Sequence, residues 1–142
     1  MKEEFVTYEI AVKLKEKGFD CNEPFAMYNE LGVFHKLYSS ADFTVSYGVN
    51  LRDCYDYDDF DDHDTVAPTI SQVLLWLREE KRLHVEFISA AYGYTFIISK
   101  VPSCGGSDIY HARNHGPNDG GAWDDYEDCA KASVEYILDN LI

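Results

Sequence analysis

Residues 68–101 read PTISQVLLWLREEKRLHVEFISAAYGYTFIISKV, and the apolar period changes partway along. Up to about Arg82, Ile70, Val73, Leu74 and Leu77 recur at helical spacing. Pro68 is a common early helix residue, and Thr69 and Gln72 stand three apart as in a capping box. From Leu83 the period falls to two: Leu83, Val85 and Phe87 alternate with His84 and Glu86. AAYG (90–93) then turns the chain back into YTFIISKV (94–101), so a helix feeds an antiparallel hairpin. Such an order, without a βαβ crossover, points to an α+β fold.

Working outward, FVTYEIAVKLKEK (5–17) places Val6, Ile10 and Leu14 on one stripe and predicts a first helix. Gly18 followed by Phe19 predicts a Schellman cap, with Phe19 packing back on Leu14. FAMY (25–28) and VFHKLY (33–38), separated by NELG, predict a hairpin, and the alternation in FTVSYGV (43–49) predicts a third strand. Residues 102–122 hold five of the nine glycines and read as a long loop with room for a short strand at Ile109 and Tyr110. DDYEDCAKASVEYILDNLI (124–142) predicts the last helix, with Tyr126, Cys129, Ala130, Ser133, Ile137 and Leu141 on one side. The expected architecture is one α+β domain spanning 1–142. It has an antiparallel sheet built from hairpins, with three helices against one face, in the order helix, strands, helix, strands, helix.

The acidity is local. DCYDYDDFDDHD (53–64) packs seven aspartates into twelve positions and supplies half of the formal net charge of −14. That field argues against direct nucleic-acid binding, which needs Lys and Arg on phosphate. The basic clusters Lys13, Lys15, Lys17 and Arg78, Lys81, Arg82 fall near predicted helix C-termini, where cations offset the dipole. No apolar run approaches the length of a membrane span, so no membrane partner and a cytoplasmic setting are expected. Cys21, Cys54, Cys104 and Cys129 are widely spread without a CxxC, as reduced thiols would be.

Two regions carry candidate chemistry. The aspartates do not fit a calcium loop: begun at Asp59, the EF-hand register puts His63 at the fifth position and Ile70 where a glutamate belongs. Their interleaving with Tyr55, Tyr57 and Phe60 suggests a docking surface for a basic, partly apolar protein. The expected surface is Asp56, Tyr57, Asp58, Asp59, Phe60, Asp61 and Asp62, and it could mimic the charge of a nucleic-acid backbone. The alternative is a divalent-cation site or metal-dependent enzyme using these aspartates or a second region, CGGSDIYHARNHG (104–116). There Cys104, His111 and His115 bracket Asp108, and the two histidines could share a metal if the segment were helical. No GxSxG elbow or phosphate-loop lysine accompanies Ser103, Ser107 or Cys104, so neither a catalytic residue nor a cofactor is expected. His35 and His84 read as outward strand positions, Trp76 as an anchor beside an apolar stripe, and Trp123 as a staple on the last helix.

Three segments, residues 4–19, 67–88 and 123–142, together resemble a set of small proteins of gut bacteria, their phages and integrated elements. In that group the patterns EFVTYEIAxKLKEKGF, APTISQVLxWLREEK and YEExxxxxxEYxLDNLI recur. The resemblance implies a bacterial or phage cytoplasmic setting; no activity is established for the group, and no residue role carries over from it. Taken together, the residues and the resemblance point to a non-enzymatic protein-interaction module of mobile-element type. Self-association is part of that expectation, because sheets built from hairpins leave edges to cover.

Overall fold

A computed structural model of the protein describes residues 4–21, 24–38, 54–56, 63–101 and 108–142, with the backbone alone at 37–38 and 54–56. The chain gathers into two compact units, Met1–Thr69 and Ile70–Ile142.

The first unit opens with helix α1 (Tyr8–Glu16), later than the apolar stripe suggests. Phe5 forms a β-bridge with Thr69, and the Val6 N–H donates to the Pro68 carbonyl at 3.0 Å, so these two residues spend their backbone on pairing. Thr7 then caps the helix, its hydroxyl accepting from the Ile10 N–H. The other end is a Schellman cap: Gly18, at φ +83°, donates to Lys15, and Phe19 donates to Leu14 at 2.9 Å. Ile10, Ala11 and Leu14 form the buried face.

Strands β1 (Ala26–Tyr28) and β2 (Phe34–Tyr38) form the expected hairpin, with Met27 opposite His35. Asn29 builds the turn between them, its Oδ1 accepting from the N–H groups of Leu31 and Val33. β3 (Cys54–Asp56) lies parallel to β2, and β4 (Thr65–Val66) antiparallel to β1, giving the order β3-β2-β1-β4. The strand expected at 43–49 lies outside the described residues. Tyr28 ties this sheet to the N-terminal segment by donating its hydroxyl to the Val6 carbonyl at 2.7 Å, with edge-on ring contacts to Tyr8 and Phe34.

The second unit begins with α2 (Ile70–Glu80), which buries Ile70, Val73 and Leu77 and leaves Leu75 exposed. The helix ends before Arg82, whose left-handed φ of 56° breaks the spiral and aims the chain into β5 (Leu83–Ala90). β5 pairs along its whole length with β6 (Gly93–Lys100), and β7 (Asp108–His111) completes an antiparallel sheet in the order β5-β6-β7. α3 (Tyr126–Asn140) buries Cys129, Ala130, Ser133, Val134, Ile137 and Leu138. Trp123 is not a helix staple: it bridges Tyr94 in the sheet and sets its ring 5.4 Å from Phe96.

The α+β class and the element order are as read from the sequence. The single sheet is not: there are two, because the antiparallel pairs of each hairpin extend only to strands of their own unit. Among the described residues no helix is long and apolar enough to cross a membrane.

Candidate functional site

Of the expected acidic surface, Asp56 is a β3 residue rather than part of a loop, its backbone opposite Tyr38. Tyr57, Asp58, Asp59, Phe60, Asp61 and Asp62 lie outside the described residues. The stretch is anchored on both outer strands of the first sheet, since β3 precedes it and β4 follows it. Just before β4, the carbonyl of Asp64 accepts from Lys15 Nζ at 3.1 Å, which gives one lysine of the first basic cluster a structural task. In the second cluster, Lys81 Nζ sits 5.3 Å from the Trp76 ring, within cation–π range.

A feature that the sequence reading did not single out lies on the hairpin of the first unit. Leu31 is 82% exposed, Phe25 and Val33 are 49% exposed, and Phe34 is 38% exposed. Single exposed apolar residues are ordinary; here four fall within residues 25–34, and of these Phe34 also sets its ring edge-on to Phe5 and Tyr28.

In the second unit, β6 divides its side chains between two faces. Phe96 and Ile98 point to the buried side, where Phe96 meets Tyr110 and Trp123, and Tyr110 stacks on Tyr136 of α3 at 3.8 Å. Burial, then the neighbouring Tyr136, raises the Tyr110 phenol above its usual value. Cys129 is fully buried, and burial pushes its thiol up to about 11, so it is a packing residue rather than a nucleophile.

Thr95, Ile97 and Ser99 take the opposite face, where the register puts His111 beside Ile97. A cleft of about 710 Å³ opens there, lined by Ile88, Thr95, Ile97, His111, Arg113 and the backbone of the glycine-rich segment, with Tyr92 at its side. That segment is built on Asn118. Its Oδ1 accepts from the N–H groups of Gly120 and Ala122, and its Nδ2 donates to the Tyr92 carbonyl and to Asp124 Oδ1. Gly93 is required where the segment meets the sheet, because at φ +135° a Cβ would run into the Trp123 carbonyl.

Beside the cleft, Ser99 Oγ donates to Asp108 Oδ1 at 2.8 Å, and His111 Nε2 lies 3.3 Å from Asp108 Oδ2. The carboxylate stands between hydroxyl and imidazole. A nucleophile relay needs the imidazole in the middle, so this trio orients His111 and holds the β-bulge between Ile98 and Ser99. The shared-metal geometry for the two histidines is not formed: His111 is on a strand, whereas His115 follows in a turn with its ring 6.0 Å from Tyr110. Among the described residues no three His, Cys, Asp or Glu side chains converge as a metal site would require. Cys104 lies outside the described residues.

The chain is thus a two-unit α+β protein with an apolar hairpin on one unit and a cleft on the other. No family profile, curated protein or solved structure matches it.

Proposed function

We propose that the protein works by binding a basic, partly apolar protein through its first unit, and that it is a phage- or mobile-element-type interaction module of the bacterial cytoplasm. The observation that carries this reading is the exposure of Phe25, Leu31, Val33 and Phe34 on the β1–β2 hairpin. An apolar contact of that kind supplies the desolvated centre of an interface. The charge comes from Asp56, Asp58, Asp59, Asp61 and Asp62, whose stretch is anchored on the same sheet. Carboxylates around an apolar contact accelerate encounter with a cationic partner and discriminate against an acidic one.

Affinity capture from a bacterial lysate tests the reading with three baits: the wild type, Leu31→Ser with Val33→Ser, and Asp58→Asn, Asp59→Asn, Asp61→Asn and Asp62→Asn combined. The expected result is a basic protein held by the wild type at low salt, released at high salt, and lost from both variants. A set of captured proteins that neither variant changes would overturn the proposal, as would one dominated by acidic proteins.

A further inference from the structure

We propose that the cleft of the second unit binds a small organic acid, its carboxylate held by Arg113 beside His111 and its apolar body lying on Ile88 and Ile97. This is independent of the hairpin reading, since every residue it uses belongs to the other unit.

Charge decides the sign of the ligand. The chain has 26 acidic side chains against 12 Lys and Arg, yet among the described residues the cleft is lined by Arg113 and His111 and by no carboxylate. Asp108, on the strand that carries His111, is engaged by Ser99 and His111. Glu86 lies on the same face, opposite Ile97, and is not part of the lining. Arg113 is exposed and makes no ion pair among the described residues, so its guanidinium fork is available for a bidentate carboxylate. The N–H groups of Gly120 and Gly121 are already spent on Asn118, which leaves anion recognition to side chains.

Size and wall chemistry decide the rest. A volume of about 710 Å³ falls in the roughly 300–1,000 Å³ range of small-molecule sites, and the floor is aliphatic. Thr95, in the same wall, keeps Oγ1 shielded from water and without a hydrogen-bond partner. A hydroxyl in that state carries a standing desolvation cost, and rotation about χ1 would turn it toward a bound carboxylate. The mouth is fixed in advance. Asn114 holds a left-handed φ of 67° next to Arg113, and Asn118 pins the segment to Tyr92 and Asp124.

The test is an amide-resolved NMR titration of the whole chain with 3-phenylpropionate, 4-methylpentanoate and the neutral 3-phenylpropionamide. Both acids are expected to shift the amides of Thr95, Ile97, His111, Arg113 and Asn114, and phenylpropionate to bind about tenfold more tightly than its amide, as loss of a charged hydrogen bond implies. Arg113→Gln should abolish that preference while leaving the spectrum of the fold intact, because Asn118 and not Arg113 anchors the segment. Thr95→Val, which removes the shielded hydroxyl at constant shape, should melt at or above the wild-type temperature and bind both acids more weakly. The proposal is overturned if neither acid moves those amides, if acid and amide bind equally, or if Arg113→Gln leaves their ratio unchanged.

Discussion

The turns Asn29–Val33 and Asn118–Ala122, one in each unit, are the same object. In both, the first asparagine's N–H donates to the fifth residue's carbonyl, at 3.0 and 3.1 Å, and its carbonyl accepts from the fourth residue, a glycine, at 2.9 Å. In both, its Oδ1 accepts from the third and fifth N–H groups, and the glycine is left-handed, at φ +79° for Gly32 and +69° for Gly121. The sequences NELGV and NDGGA share only the asparagine and that glycine. What differs is where the turn is sent. The first carries Leu31 and Val33 outward, whereas the second is drawn under Tyr92 by Asn118 Nδ2 and by a glycine at 120 that lets the Tyr92 ring lie close. One backbone device thus makes either a projecting contact surface or the wall of a cleft, according to the three residues that are free to vary.

Three measurements would break or sharpen that equivalence. The largest effect is expected at the shared asparagine: Asn118→Ala gives up two accepted bonds and two donated bonds of 2.7 and 3.0 Å and should cost about 3 kcal/mol, against about 1 kcal/mol for Asn29→Ala, whose two turn donors are exposed and can turn to water and whose Nδ2 reaches only His35 Nε2, at 3.5 Å. Equal losses in urea denaturation would mean that the Nδ2 anchors contribute nothing. Next come the glycines. Gly32→Ala and Gly121→Ala share a left-handed penalty of about 1–2 kcal/mol. Only Gly121→Ala also drives its Cβ into the Asn114 backbone, while at Gly32 the nearest atom is the Tyr8 ring at 3.3 Å. The second variant should therefore melt lower than the first by several degrees, roughly what 1 kcal/mol does in a domain this small.

The smallest effect is alkaline. Cys129 ionises at about 11 when folded, above the ordinary 9.0, so its contribution is complete below about pH 9 and is lost as pH rises toward 11. Tyr110 is shifted in the same direction. Cys129→Ala should flatten the decline in stability of the second unit over that window without touching the first, where Tyr28 is raised by its own burial and by Glu9. An unchanged slope would place the thiol in contact with water.

Elements with a strong local pattern were readable: the two hairpins, the helix-to-strand switch near Arg82, and the cap at Gly18 and Phe19. Phe5 and Val6 extend the stripe of α1 in sequence, yet they pair with Thr69 and Pro68, a choice made by residues far along the chain. The NELG turn announced itself because alternating strands flank it. Its twin at 118–122 is preceded by Gly116 and Pro117, which carry no period, so it read as part of an undivided loop. The cleft was illegible for a related reason: it depends on Gly120 against Tyr92 and Gly121 against Asn114, contacts that spacing does not record. Nor could the sequence show that each hairpin would keep its sheet to itself.

The bridge from Phe5 to Thr69 makes the first unit a clasp, closed only when its two ends meet. During synthesis the residues of the β1–β2 hairpin are made first, whereas the strand that flanks β1 on its other side and the residues that fasten Val6 come last in this unit. The first unit therefore cannot fasten Phe5 and Val6 until Pro68 and Thr69 have been made, so its N-terminal segment docks after its first hairpin is complete in sequence.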